Sequence, residues 1–154
     1  MNVKKMTLTL ALCLAGVAVC YAADANIGTW KLNEAKSKFV PGVTKNTTVA
    51  YTQVGDEVKV TTDGIAGDGK PVQTEWTGKF DGKDYPLAGD PAANSRSYTK
   101  INDTTLELTN KKDGKVTAKG RISISADGKM RTVKVTGTKA NGQSITYTAV
   151  YDKQ

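Results

Sequence analysis

The chain has 154 residues, with 22 Lys and Arg against 15 Asp and Glu, no histidine and two cysteines. Without histidine there is no Ser-His-Asp triad, no imidazole acid–base catalysis and almost no zinc arrangement to consider. The formal net charge of +7 is spread along the chain, with many lysines beside turn glycines and no dense basic run, a pattern of solubility rather than a nucleic-acid footprint.

Residues 1–22, MNVKKMTLTLALCLAGVAVCYA, open with Lys4 and Lys5, continue with an apolar run from Leu8 to Val19, and end in small residues. This is the pattern of a cleaved secretory signal, and the run is shorter than the roughly 20 apolar residues of a membrane-spanning helix. Cleavage is expected after Ala22, with Ala25 as the alternative, and places residues 23–154 in the periplasm or outside the cell as one domain. Lipid attachment at Cys20 is disfavoured by the bulky Val19 before it. Both Cys13 and Cys20 lie in the leader, so the mature chain has no disulfide. Losing Lys4 and Lys5 takes two from the charge of +7 and leaves +5.

After residue 40, two-residue turn signals take over from helical periodicity. They are Gly55-Asp56, Asp68-Gly69, Asp81-Gly82, Asn102-Asp103, Asp113-Gly114, Asp127-Gly128 and Asn141-Gly142. Asp-Gly and Asn-Gly tolerate the positive φ angles of tight hairpins, and the runs between them are rich in Val, Ile, Thr and Tyr, which suit strands. The pattern predicts strands at 28–32, 45–54, 57–63, 71–80, 83–87, 95–101, 104–111, 115–125, 130–138 and 143–151, with a single helical turn around 34–38. The longest loop, AGDPAAN at 88–94, is too short for a domain linker.

Alternation assigns the faces. Val116, Ala118, Gly120, Ile122 and Ile124 share one side of their strand; Val72, Thr74, Trp76, Gly78 and Phe80 share one side of theirs; Ile145, Tyr147, Ala149 and Tyr151 do the same near the C-terminus. An antiparallel meander with one oily face must bury it, and closing into a barrel also removes the edges. The expected class is all-β: an up-and-down barrel of eight to ten strands with little helix, a two-sheet sandwich being the competitor.

Catalytic chemistry is sparse. Glu75 and Glu107 alternate with Trp76 and with Leu106 and Leu108, and so face solvent; most other carboxylates sit in turns. No enzyme activity, cofactor or metal is expected. GIAGDGK at 64–70 lacks the spacing and following helix of a phosphate loop, and Asp63 with Asp68 does not match a calcium-loop spacing.

The N-terminal Gly28-Thr29-Trp30-Lys31-Leu32, the hairpin ladder, and the ending Tyr147-Thr148-Ala149-Val150-Tyr151-Asp152-Lys153 resemble the calycin group, which includes the lipocalins and fatty-acid-binding proteins. The chain is also similar to small exported bacterial proteins opening with comparable GTWKLN…AKSKF text, a likeness that implies no activity. The calycin resemblance implies a barrel whose first-strand tryptophan, Trp30, plugs the closed end beneath a late arginine. Arg131 is the first choice for that arginine, because it shares parity with Val133 and Val135; Arg121 is the alternative. The resemblance further implies an interior ligand site. In fatty-acid-binding proteins a last-strand arginine two residues before a tyrosine holds the carboxylate; here Tyr151 is present but that arginine position is Ala149, leaving Arg96 or Lys100 to reach a carboxylate from another strand.

A ten-stranded shell leaves more interior space than modest side chains fill, and Gly78 and Gly120 are expected to widen it. The expected cavity lining is Tyr51, Trp76, Leu106, Tyr147 and Tyr151, suited to a small lipophilic ligand. The alternative is a filled barrel that works through its surface, with Tyr85, Pro86 and Leu87 as a contact loop. Neither nucleic acid nor stable membrane insertion is expected, and no oligomeric state is legible.

Overall fold

The computed structural model describes residues 24–139 and 141–154. The expected leader at 1–22, with Cys13 and Cys20, lies outside the described residues. Ten antiparallel strands follow in order: β1 (Gly28–Leu32), β2 (Lys45–Val54), β3 (Glu57–Ile65), β4 (Pro71–Gly78), β5 (Tyr85–Ala88), β6 (Ser95–Asn102), β7 (Thr105–Lys112), β8 (Lys115–Ile124), β9 (Met130–Thr138) and β10 (Ser144–Lys153). Each pairs with its chain neighbour, and β1 pairs with both β2 and β10, so the meander closes into a barrel rather than a sandwich. The turn residues explain the tight connections: at the β7–β8 hairpin both Asp113 (φ 49°) and Gly114 (φ 80°) take positive φ, the requirement of a two-residue turn that follows the strand twist.

Among the described residues the one helical piece is a 3-10 turn, Glu34–Lys36, capped by Asn33, whose side-chain oxygen accepts from the Lys36 N–H at 3.1 Å. The segment around it lies outside β10. The Asn33 N–H donates to the Val150 carbonyl at 2.8 Å and the Val150 N–H to Ser37 Oγ at 2.9 Å. Val150 is therefore buried although it points away from the barrel axis.

The alternation sorts interior from exterior with two corrections. Val116 was expected inside but is exposed: the ladder shifts between Asn110/Ala118 and Lys111/Val116, so Thr117 is an extra residue and reverses the phase beyond it. Tyr85, Pro86 and Leu87 do not form a free contact loop but make up most of β5. Leu87 is buried, and the Tyr85 ring lies against Gly78 and edge-on to Trp76 at 5.7 Å. Gly78 and Gly120 hence open no space. Tyr85 fills the first and the Leu108 side chain, at 3.0 Å from where a methyl would sit, fills the second.

The meander puts the β2–β3, β4–β5, β6–β7 and β8–β9 turns at one end, together with both termini of the described barrel. That end is closed. Residues 24–27 tuck beneath it: Asn26 is fully buried and its carbonyl accepts from Trp30 Nε1 at 2.9 Å. Trp76, Leu106 and Ile122 are also fully buried, with Trp76 edge-on to Tyr98 at 4.7 Å and stacked on Phe80 at 6.3 Å. The opposite end, framed by residues 39–44 and the β3–β4, β5–β6, β7–β8 and β9–β10 turns, is the mouth. Among the described residues no helix is long and apolar enough to cross a membrane.

Candidate functional site

Trp30 sits in the closed end with its indole wholly inaccessible. The cation over its ring is not Arg131, as expected, but Lys153, with Nζ 5.1 Å from the ring centroid. The pairing register explains the exchange: Trp30 lies opposite Lys153 at the last step of β10. Gly28 makes the reach possible, since at φ 127° a Cβ there would stand 2.9 Å from Lys153 Cε. Arg131 does point inward, as its parity requires, but one step deeper. It pairs with Tyr151 in the sheet, and its guanidinium lies over the rings of Tyr51 (5.1 Å) and Tyr151 (5.2 Å). Arg121 is outside, bonded to Glu107 at 3.0 Å.

Above the packed half lies a chamber of about 90 Å³, bordered by Tyr51, Arg96, Tyr98, Asn110, Arg131 and Tyr151, with Phe39, Thr44 and Tyr147 toward the mouth. It adjoins a larger space of about 390 Å³ at the mouth, lined by Val43, Asp90, Ile145 and Lys139 among others. The two share Thr44, Asn110, Ala118, Val135 and Tyr147. Of the expected lining residues, Tyr51, Tyr147 and Tyr151 border the chamber, whereas Trp76 and Leu106 belong to the solid half beneath it. The aromatic pile-up of Trp76, Phe80, Tyr85 and Tyr98 consumes the volume near the closed end.

Arg96, whose parity was ambiguous, proves to be an interior residue. Its Nε donates to Asn110 Oδ1 at 2.7 Å and its Nη1 to the Tyr98 hydroxyl at 3.2 Å, while its carbonyl accepts from Trp76 Nε1 at 2.9 Å. Across the barrel, Arg131 Nη2 donates to the Tyr51 hydroxyl at 2.7 Å, and Tyr51 donates to Tyr98 at 3.4 Å. Two guanidiniums are thus linked through two phenols. Lys100, the other residue considered for a carboxylate, is outside and bonds Asp24 at 3.1 Å and Asp103 at 3.2 Å.

The electrostatics leave this interior positive. Burial pushes the Tyr51 phenol far above its usual range, outweighing the opposing pull of Arg131. Burial also raises Tyr151 against the same arginine and pushes Tyr147 up to about 12. All three are neutral at physiological pH. Burial works against the Arg96 charge, but the neighbouring Tyr98 and Tyr51 and the more distant Asp90 hold its pKa above the usual value.

The carboxylates hold nothing in common. Glu75 pairs with Lys59 at 2.8 Å on the surface. Asp63 accepts from Gln73 at 2.6 Å, and Asp68 caps the Lys70 N–H at 3.1 Å. Among the described residues no group of three or more His, Cys, Asp or Glu side chains is placed to hold a metal ion. At the mouth, Phe39 stacks on Tyr147 at 5.7 Å and Lys139 Nζ donates to the Pro41 carbonyl at 2.9 Å, tying residues 39–44 across the opening.

No family model matches the sequence, and no curated protein matches it. Among solved structures the chain is similar to a redesigned β-barrel, mFAP1, bound to DFHBI, at 16% identity, covering 84% of this chain and 95% of that one with a TM-score of 0.46. It is also similar to EF1p2_mFAP2b bound to DFHBI, at 13% identity, covering 86% and 97% with a TM-score of 0.49. At these scores neither comparison carries an argument about function, and the barrel assignment stands on the strand ladder itself.

Proposed function

We propose that this chain is an exported, non-enzymatic, lipocalin-like barrel that takes a small lipophilic molecule through its mouth into its interior. One observation carries the reading: the mouth space and the inner chamber adjoin, with Thr44, Asn110, Ala118, Val135 and Tyr147 lining both. Their combined dimensions fall in the range of small-molecule sites, which are concave, largely apolar and furnished with a few convergent polar groups. The closed end supports cleavage after Ala22 rather than Ala25, because Asp24 accepts from Asn26 and Lys100 there and the later cut would remove it. A mature N-terminus beginning at Ala23 in the periplasmic or secreted fraction tests both the export and the cut.

The binding reading is tested with N-phenyl-1-naphthylamine, a neutral dye that brightens in apolar surroundings. Mature wild-type protein gives a saturable rise. Ala118→Trp, which adds bulk where the two spaces adjoin, abolishes it while the far-UV dichroism is unchanged. Organic extraction of protein purified from its host releases a lipophile detectable by mass spectrometry. A protein that neither binds the dye nor carries any extractable molecule is a filled barrel that works through its surface, and the proposal is then wrong.

A further inference from the structure

Inside the barrel the ordinary rule that buried charges are paired is broken twice. Arg131 is 4% exposed and Arg96 9%. Among the described residues neither has a carboxylate within ion-pair distance, although ten such pairs involve other side chains. The carboxylate whose field reaches Arg96, that of Asp90, belongs to the mouth and makes no ion pair with it. An uncompensated buried ion is costly, and such a group normally coordinates something or is accompanied by a partner.

The hydrogen-bond inventory points the same way. A guanidinium carries five N–H donors and no acceptor. Among the described residues Arg131 makes one bond, to Tyr51, and its buried Nε has no acceptor. The Tyr98 hydroxyl accepts from both Arg96 and Tyr51, so its own proton is unspent. The Arg96–Tyr98–Tyr51–Arg131 chain therefore has an excess of donors, and the cavity touches all four residues. The missing component is an acceptor, and two cations specify that it is negative.

Resting on the reading of a binding barrel, we propose that the chamber is an oxyanion subsite. The carboxylate or sulfate-type head of an amphipathic ligand seats between Arg96 and Arg131, with the Tyr98 hydroxyl as a further donor. Planar guanidiniums suit such oxygens, which accept two parallel N–H bonds. At about 90 Å³ the chamber holds a head group but no long chain, so the apolar body occupies the mouth space of about 390 Å³. The ligand class is a short or compact amphipathic anion. The guanidiniums come from β6 and β9, not from the last strand, where the corresponding side chain is Ala149.

The test displaces bound N-phenyl-1-naphthylamine with three probes sharing one chain length: octanoate, octyl sulfate and 1-octanol. In wild-type protein at neutral pH at least one anion displaces the dye about tenfold or more below the concentration that octanol needs, the factor a charge-assisted hydrogen bond supplies. Which anion does so identifies the head group. Arg96→Gln and Arg131→Gln each erase about tenfold of this preference, read as the anion-to-octanol ratio within each variant. A purely structural role for Arg131, bracing the Tyr51 and Tyr151 rings, would lower the melting temperature without changing the anion-to-alcohol ratio. If the dye binds but octanol and both anions compete equally in wild type, the subsite proposal falls and the binding reading stands. If neither the dye nor any probe binds, the binding reading falls and takes the subsite with it. The wild-type ratio decides even where a variant fails to fold.

Discussion

Replacing Trp30 by alanine tests the closed end directly. The indole is fully buried, and truncating a buried aromatic of this size costs about 3–5 kcal/mol in transfer and cavity terms. Two local losses add to it. The Asn26 carbonyl, in a segment whose side chain is itself fully inaccessible, loses its 2.9 Å donor, worth about 1 kcal/mol or more. The Lys153 ammonium loses the ring 5.1 Å beneath it, worth roughly 0.5–1 kcal/mol at a partly exposed site. With each kcal/mol moving the melting temperature of such a domain by about 2–5 °C, Trp30→Ala lowers it by about 10–35 °C. Thermal and urea unfolding followed by far-UV dichroism measure this without relying on the deleted fluorophore. Trp30→Phe separates the contributions: it keeps most of the ring but not the N–H, and costs about 1–3 kcal/mol. A Trp30→Ala protein that melts cooperatively within about 3 °C of wild type would show that the indole does not hold this end shut, and the account of the closed end would fail.

Three further outcomes are expected. Burial pushes the Asp24 carboxyl up, but hydrogen bonds from the Asn26 side chain and backbone and from Lys100 outweigh it and hold the group below the usual carboxylate range. A depressed folded pKa means stability that is present above the unfolded value of about 4 and lost as pH falls through the folded one. Wild type therefore loses its advantage over Asp24→Asn on acidification below about pH 4, and melting curves of the two that stay parallel down to pH 2, within about 1 °C, would contradict this. Gly78→Ala drives a methyl into the Tyr85 ring and costs about 1–3 kcal/mol. Tyr85→Ala in the same chain recovers most of that increment, and urea midpoints that simply add would count against the contact. Glu107→Ala removes an exposed partner of Arg121 and changes stability by less than about 1 kcal/mol, a control for surface substitutions.

The meander was legible because its punctuation and its alternation agree. Seven Gly, Asp and Asn pairs mark the turns, and between them one residue in two is apolar, which fixes both the strand limits and the buried face. The same alternation placed Arg131 inside and Arg121 outside. It failed where the ladder is irregular: the extra residue at Thr117 turned Val116 outward. It was silent at Arg96, where three successive residues, Arg96, Ser97 and Tyr98, are all buried beside the short strand β5. The available signal was parity with Tyr98, an aromatic two residues on. Contacts across the barrel were not legible at all. Arg131 and Tyr51 are 80 residues apart, on strands that are not neighbours in the sheet, and nothing local in either strand announces the other. Trp76 and Leu106 were correctly judged interior and wrongly judged cavity-lining for the same reason, since how aromatic rings share the space inside a closed barrel depends on all ten strands.

The two halves of the interior follow different physical rules. Near the closed end most side chains are apolar or aromatic, and each buried indole N–H has a carbonyl at 2.9 Å; among the described residues the exception in this half to the pairing of buried polar groups is Asn26 Oδ1. One layer higher, two arginines and four tyrosines border a space with too few acceptors. A barrel selected only for stability would fill that layer with aliphatic side chains, since replacing buried ions by well-packed apolar residues is often neutral or stabilising. The rigid half makes the exception tolerable. Arg96 hangs from a backbone whose carbonyl is held by the fully buried Trp76, and Arg131 is clamped between the Tyr51 and Tyr151 rings. The guanidiniums themselves are held by side chains, Arg96 by Asn110 and Tyr98 and Arg131 by the Tyr51 hydroxyl. The donors are thus pre-positioned for an acceptor before one arrives, which lowers the ordering cost of binding it, and these unpaired cations coincide with the chamber that adjoins the mouth space.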